Sequence, residues 1–474
     1  QLPNLREDRK KVTVEYEEYK SLPKELRQEN TSIEGKRVII GDSKEGWVKA
    51  IEYLLEAFHK DEVDTIKYNF DSVRPYGERL KNFGGRASGP GALKNIIKAI
   101  HRIIEECPSQ KLRSIDCMDI SCAIASGVVA GSVRRSSLIC LFDEGDELCA
   151  NAKKGIFTDP SKFYKKYRVQ SNNTECIGSH GWQILVDYVK NNPDCTYQDV
   201  KLIFDKYKPS KDMLQGRIDS LKSIGDPGFN NYLLMAWKRF EAARQYRPDE
   251  DFTKYMDVST NPCSEILLSA GYEDGRGGSV CNLSTQCLPN FVTEGKLDLD
   301  ELEVCTRLIT RIGLRQTLVD LNWESWDITQ KKERLLGVSI TGWQDALQMF
   351  NWDTLSPQAS DLRKTIRYWA NDEADKYTKK LGVNRPLLVT CVKPEGTSSV
   401  VFGVSSGLHW SWAPYYIRRV RISSKDGLAK TLKAMGYTVY PELDNNNNSS
   451  ISTAIGDYEL SYKLDEDNEE YKEL

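Results

Sequence analysis

Apolar positions along this chain recur with two different periods, and the switching between them predicts a mixed α/β protein. The short apolar run Arg37-Val38-Ile39-Ile40-Gly41 predicts a buried strand, apolar residues at helical spacing over Trp47 to Phe58 predict an amphipathic helix, and Thr65-Ile66-Lys67-Tyr68-Asn69-Phe70 alternates as a strand does. Strand, helix, strand in that order is the pattern of a parallel α/β unit. Helical spacing returns over Gly91 to Cys107, Asp116 to Val129, a charged stretch at 196–245, Leu299 to Asn322 and Asp361 to Lys380. The last of these closes on Gly382, which adopts a left-handed cap without a Cβ penalty. Pro386-Leu387-Leu388-Val389-Thr390 predicts one more apolar strand. Residues 1–36 read as a charged lead-in, 37–443 as the folded core, and 444–474 as an Asn-rich and acidic tail that stays solvated.

Composition narrows the class. Over 474 residues, 39% hydrophobic and 28% charged residues describe a chain with enough apolar material for a sizeable core. No apolar run approaches the roughly 20 residues of a membrane span, and the opening Gln1 to Arg6 lacks the pattern of a secretory leader. A cytoplasmic location is the expectation. The net charge of −3 argues against a broad nucleic-acid-binding surface. Twelve cysteines without close C-x-x-C pairs, and only four histidines, suggest neither a disulfide scaffold nor a metal site. Ten of the cysteines, Cys391 among them, read as packing residues.

Candidate chemistry concentrates in Asn261-Pro262-Cys263-Ser264-Glu265, followed by Cys281-Asn282-Leu283-Ser284. An amide, a thiol and a carboxylate within five residues point to radical rather than hydrolytic chemistry. The thiol loses a hydrogen atom to become a thiyl, the carboxylate takes a proton from a hydroxyl, and the amide holds that hydroxyl. Those three roles activate a ribose. A second stretch, Arg74 to Pro90, is rich in glycine and proline and carries Arg74, Lys81, Gly84, Gly85 and Arg86, a loop whose backbone can approach a ligand closely. A third, Cys391-Val392-Lys393-Pro394-Glu395-Gly396-Thr397-Ser398-Ser399, offers hydroxyls and free N–H groups to a phosphate.

These segments, with Gly41-Asp42-Ser43-Lys44-Glu45-Gly46-Trp47, Gln170-Ser171-Asn172-Asn173 and Gly337 to Gly342 in the same order, resemble ribonucleotide reductases of the class II, adenosylcobalamin-dependent type over residues 37–440. The resemblance implies a ten-stranded α/β barrel with the Cys263 loop threaded through it. It implies Cys263 as the thiyl residue, Glu265 as base, Asn261 as ribose-orienting residue and Cys281 as a reducing thiol. It implies substrate phosphate at Gly396, Thr397, Ser398 and Ser399, with Glu395, which departs from the family pattern, pointing away. Residues 74–90 become the specificity loop for a deoxynucleotide effector, the substrate a ribonucleoside di- or triphosphate, and the electron donor a thioredoxin-type reductant.

Residues 1–106 hold no cysteine, so the family's upstream redox partner for Cys281 is expected from a complementary fragment of a split enzyme. Two other readings remain open. One is a class I large subunit that receives its radical from a ferritin-like partner, and the other is a non-catalytic nucleotide-binding scaffold.

Overall fold

The computed structural model describes residues 4–8, 11–60, 63–80, 86–130, 133–134, 136–270, 277–410, 419–423, 427–437, 439–441 and 457–461. The chain divides into two compact units, one of residues 1–140, 147–171 and 415–474, the other of residues 141–146 and 172–414.

The first unit is organised by a four-stranded sheet. Its strands are β1 (Thr13–Tyr16), β2 (Ser32–Glu34), β3 (Arg37–Ile39) and β4 (Thr65–Asn69), in the order β1-β4-β3-β2. β4 runs parallel to both β1 and β3, with Val38 opposite Tyr68, and helix α1 (Lys44–Ala57) makes the crossover. The Ser43 hydroxyl starts α1 by accepting the N–H of Gly46 at 2.9 Å. Two strands of this sheet lie within residues 1–36, the stretch that the sequence presents as a lead-in.

Helices α2 (Pro90–Glu106) and α3 (Ser114–Ser126) follow. The core joins Val38, Ile40, Leu54, Phe58, Ile66 and Tyr68 to Leu93, Ile97, Ile100 and Ile104 of α2, all buried. Each such aliphatic or aromatic side chain contributes about 1.5–3 kcal/mol through removal from water. Within the tail region only the strand Asp457–Ser461 is described, paired antiparallel with Arg419–Ser423 and Val439–Pro441. The rest of 444–474 lies outside the described residues.

In the second unit, β5 (Ser171–Ile177) pairs in parallel with β6 (Gly228–Asn231) from Thr174 onward. The charged stretch between them forms α4 (Trp182–Asn191), α5 (Tyr197–Lys206) and α6 (Lys211–Ile224), and α7 (Tyr232–Tyr246) follows β6. A short antiparallel hairpin comes next, β7 (Val258–Thr260) with β8 (Leu267–Ser269). Beyond it, β9 (Asn282–Cys287) and β10 (Leu336–Thr341) are parallel and in register from Asn282 opposite Leu336 to Cys287 opposite Thr341.

Helices α8 (Leu299–Gln316), α9 (Glu324–Glu333), α10 (Trp343–Phe350) and α11 (Pro357–Leu381) complete this unit, α11 ending on Gly382 at φ 66°. The predicted strand at 386–390 is reduced to a parallel bridge of Thr390 to Val338. Pro386 has no N–H to give a ladder. The main-chain bonds from Leu336 N to Leu388 O and from Cys391 N to Val338 O nevertheless align this segment beside β10.

All β10 residues are buried, as expected of a parallel strand covered on both faces. Among the described residues, no helix is long and apolar enough to cross a membrane.

Candidate active site

The β7–β8 hairpin presents residues 261–266 as a tight turn that folds around its own first side chain. The Asn261 carbonyl oxygen accepts the N–H of Ser264 at 2.9 Å, and its side-chain Oδ1 accepts the N–H groups of Glu265 and Ile266 at 3.2 Å each. Asn favours such turns because its short amide satisfies nearby backbone donors. Ser264 sits at φ 62°, a left-handed conformation that costs a side-chain-bearing residue strain. From β5, Asn172 Nδ2 donates to the carbonyl of Pro262 at 2.7 Å, so the residue before Cys263 is tethered from outside the hairpin.

The result places Cys263 at an exposed position and Glu265 half-buried. Glu265 Oε2 is enclosed and has no hydrogen-bond partner among the described residues. A buried acceptor without a donor costs about 1–3 kcal/mol, so this oxygen is open to a donor that the described residues do not supply.

Three thiols feel this carboxylate. Burial pushes the Cys281 thiol up to about 12, with the Glu265 charge and Cys263 adding to the effect. Burial and Glu265 also raise Cys391, and burial and Glu265 raise Cys263, where the Lys393 ammonium works in the opposite direction. All three stay protonated at neutral pH, the form that donates a hydrogen atom or a proton.

Gly337 explains part of the packing. A Cβ there would lie 2.4 Å from Leu283 Cδ2, 2.6 Å from Ile266 Cδ1 and 2.8 Å from Cys391 Sγ. The bare backbone therefore makes room for the side chains next to Glu265 and Cys281 and for the Cys391 sulfur.

After Cys391 the chain turns into the predicted phosphate loop. Lys393 N–H donates to Ser339 Oγ at 3.1 Å, anchoring the loop on β10. Glu395 is buried at φ 55°, its carboxylate 3.2 Å from the Lys393 ammonium. Ser399 is also buried, its Oγ 3.0 Å from Ser406 Oγ, while Thr397 precedes the one-turn helix Ser398–Phe402. A Cβ on Gly396 would meet nothing within 4 Å, so that glycine leaves open space.

The structure thus gathers Asn261, Cys263, Glu265, Cys281 and residues 396–399 in the second unit. The specificity-loop residues belong to the first. There Arg74 pairs with Asp42 at 3.0 Å and Arg86 donates to the Gly77 carbonyl at 3.2 Å, while Lys81, Gly84 and Gly85 lie outside the described residues.

Sequence reasoning missed three supports. Asn172 is one, sitting inside a quoted motif without a role. The second is the fully buried pair Arg239–Glu333 at 2.8 Å, in which Arg239 also donates to the carbonyls of Tyr255 and Leu267 at 2.8 Å each, bracketing the hairpin. A lone Arg in the otherwise apolar face of α7 was its only signal. The third is Cys391, set among apolar neighbours that look like packing.

The family described as ribonucleotide reductase, barrel domain, matches residues 253–384, which contain the hairpin turn, Cys281, β9 and β10. The chain belongs to the ribonucleotide reductase family. Residues 15–104 match the insertion domain of B12-dependent ribonucleotide reductases.

Among curated relatives, the adenosylcobalamin-dependent ribonucleoside-triphosphate reductase of Lactobacillus helveticus is 31% identical over 443 residues, covering 88% of this chain and 53% of the relative. That of Lactobacillus gasseri is 30% identical over 431 residues, covering 85% and 51%. The chain spans about half the length of these curated relatives. A crystal structure of a B12-dependent, class II ribonucleotide reductase superposes with a TM-score of 0.62 at 22% identity, covering 95% of this chain and 59% of that one, so the α/β reductase fold expected from the sequence holds.

Proposed function

We propose that this chain carries the thiyl-radical core of an adenosylcobalamin-dependent ribonucleotide reductase acting on ribonucleoside di- or triphosphates, the triphosphate being favoured by the relatives' names. The observation that carries the reading is the enclosed, unpartnered Glu265 Oε2 within electrostatic reach of the Cys263, Cys281 and Cys391 thiols. That oxygen accepts a hydroxyl donor, and a ribose 3′-hydroxyl is one.

The exposure of Cys263 fits a radical delivered from outside the polypeptide. Adenosylcobalamin, when bound, supplies the radical that removes the hydrogen atom from the Cys263 sulfur. The remaining steps belong to the protein. The Cys263 thiyl takes the ribose 3′-hydrogen, Glu265 accepts the 3′-hydroxyl proton, and the Asn261 NH₂ group orients the sugar while its oxygen holds the turn. Cys281 then donates as the 2′-hydroxyl leaves as water. Gly396, Thr397, Ser398 and Ser399 hold the substrate phosphates.

A deoxynucleotide effector at the 74–90 loop, a thioredoxin-type reductant, a complementary fragment bearing a further redox cysteine and a cytoplasmic location belong to the same proposal. The match to the B12-dependent insertion domain supports cobalamin over a ferritin-like radical source.

The test is Cys263→Ser in the full-length enzyme with adenosylcobalamin, ribonucleoside triphosphate and dithiol. No deoxynucleotide should form while nucleotide binding is retained, because an alkoxyl is far harder to form than a thiyl. Sustained turnover in this variant removes Cys263 from the mechanism.

A further inference from the structure

Side chains along β9 alternate between two environments. Gln286 Nε2 donates to Thr306 Oγ1 on α8 at 2.8 Å, so Asn282, Ser284 and Gln286 face the helices, and Leu283, Thr285 and Cys287 face the other way. The register partners of these last three on β10 are Gly337, Ser339 and Thr341. That face is the one the phosphate loop covers. Cys391 Sγ rests against Gly337, Ser339 Oγ accepts the Lys393 N–H at 3.1 Å, and Thr341 Oγ1 donates to the Ser405 carbonyl and accepts the Gly407 N–H at 3.1 Å each. The loop is therefore fastened along β10, while Thr285 stands on the neighbouring strand, about 4.8 Å to its side.

Ser339 and Thr341 spend their hydroxyls on the loop, but Thr285 does not. Its Oγ1 is enclosed and has no hydrogen-bond partner among the described residues. A hydroxyl withdrawn from water without a partner opposes folding, and this one is open to a ligand atom. Ser284 Oγ is enclosed and unpartnered in the same way, but it lies on the helix side, away from the loop. Cys281, the thiol assigned to the 2′-hydroxyl, precedes Thr285 by four residues and so lies at most about 14 Å from it along the chain. A nucleotide spans such a length from its sugar to its outer phosphates.

We infer that Thr285 is a further substrate-binding residue, its hydroxyl donating to the polyphosphate of the nucleotide held by residues 396–399. The inference rests on the reductase reading for the placement of that nucleotide. A threonine hydroxyl has one proton to give, a phosphate oxygen is an acceptor, and a hydrogen bond to an ionised acceptor is stronger than one between neutral groups.

The experiment compares full-length wild type, Thr285→Val and Thr285→Ser by calorimetric titration with a ribonucleoside triphosphate and with inorganic tripolyphosphate, the deoxynucleotide effector being present throughout. Urea denaturation and deoxynucleotide formation are measured on the same preparations. Thr285→Val, which keeps the shape and removes the hydroxyl, should bind both polyphosphates about ten- to a hundredfold more weakly, the range for a hydrogen bond to a charged group. Its stability should equal or exceed that of the wild type, because the hydroxyl it loses has no partner to leave behind. Thr285→Ser, which retains the hydroxyl, should bind as the wild type does. Unchanged affinity in Thr285→Val overturns the inference, and so does a loss seen with the nucleotide but not with tripolyphosphate, which moves the contact to the sugar or base. A clear drop in stability overturns it as well, since the hydroxyl then serves the fold. Each of these results leaves the reductase reading standing so long as the wild type forms deoxynucleotide. Weakened polyphosphate binding by Thr285→Val, with no deoxynucleotide from the wild type, does the reverse, retaining the contact and removing the reading.

Discussion

Asn261 Oδ1 and the N–H of Glu265 are joined across 3.2 Å, so the residue assigned to hold the ribose also holds the residue assigned to deprotonate it. The same oxygen takes the N–H of Ile266, which leaves the NH₂ end of the amide for substrate. The two ends separate by mutation. Asn261→Asp keeps the acceptor and removes the donor; Asn261→Ala removes both.

In Asn261→Ala, two backbone donors lose their partner, and stability should fall by about 1–3 kcal/mol. Asn261→Asp keeps the acceptor for both backbone donors and should lose less stability than Asn261→Ala, yet reduce ribonucleotide poorly for want of the NH₂ donor. Urea denaturation and turnover measured on the same preparations check this. Equal stability of the two variants removes the turn-holding role.

Glu265→Gln preserves the shape of the side chain and deletes its proton-accepting oxygen. Deoxynucleotide formation should slow by about 10²–10⁴, with Cys263 reactivity toward iodoacetamide little changed. A loss below threefold assigns Glu265 to packing instead.

Arg239 and Glu333 make the strongest stability prediction. Both side chains are fully buried, and Arg239 fastens the Tyr255 and Leu267 carbonyls on either side of the hairpin. Glu333→Ala strands a buried guanidinium and should cost about 3–5 kcal/mol. The double change Arg239→Met with Glu333→Leu should recover a large part of that loss. Denaturant midpoints of the three proteins decide it, and a single variant as stable as the wild type contradicts the pairing.

The thiols give a pH dependence with a definite sign. Unfolded cysteine ionises near about 8.5, whereas folded Cys281 is pushed up to about 12. Between those values the folded chain keeps a proton that the unfolded chain releases, so the Cys281 contribution is complete below about 8.5 and is lost as pH rises toward about 12. Melting curves at pH 7.5 and 10.5 should show a smaller downward shift for Cys281→Ala than for the wild type. Identical shifts refute the assignment.

Local periodicity carried much of the architecture. The β3–α1–β4 unit, α2, α11 and its Gly382 cap were all legible because neighbours in sequence determine them. β1 was not, since Thr13 to Tyr16 alternates over only four residues inside a charged stretch and becomes a strand by pairing with β4 some fifty residues on. At the site, Asn261, Cys263 and Glu265 stood out because one turn holds them together. Cys391 and Asn172 did not, because only β10 and β5 bring them to that turn. Glu395 shows the same limit: its identity was visible as a departure from the family, but its burial against Lys393 depends on how the loop folds.

The pairing of partly buried Lys393 with buried Glu395 has a consequence for the phosphate loop as a whole. The two charged residues of the loop neutralise each other, so residues 391–399 present dipoles and hydroxyls with no net charge of their own. Nucleotide affinity should then vary weakly with ionic strength, since screening by salt acts on exposed charge and little on fixed short-range dipoles. A loop built this way discriminates its ligand by fit rather than by long-range attraction.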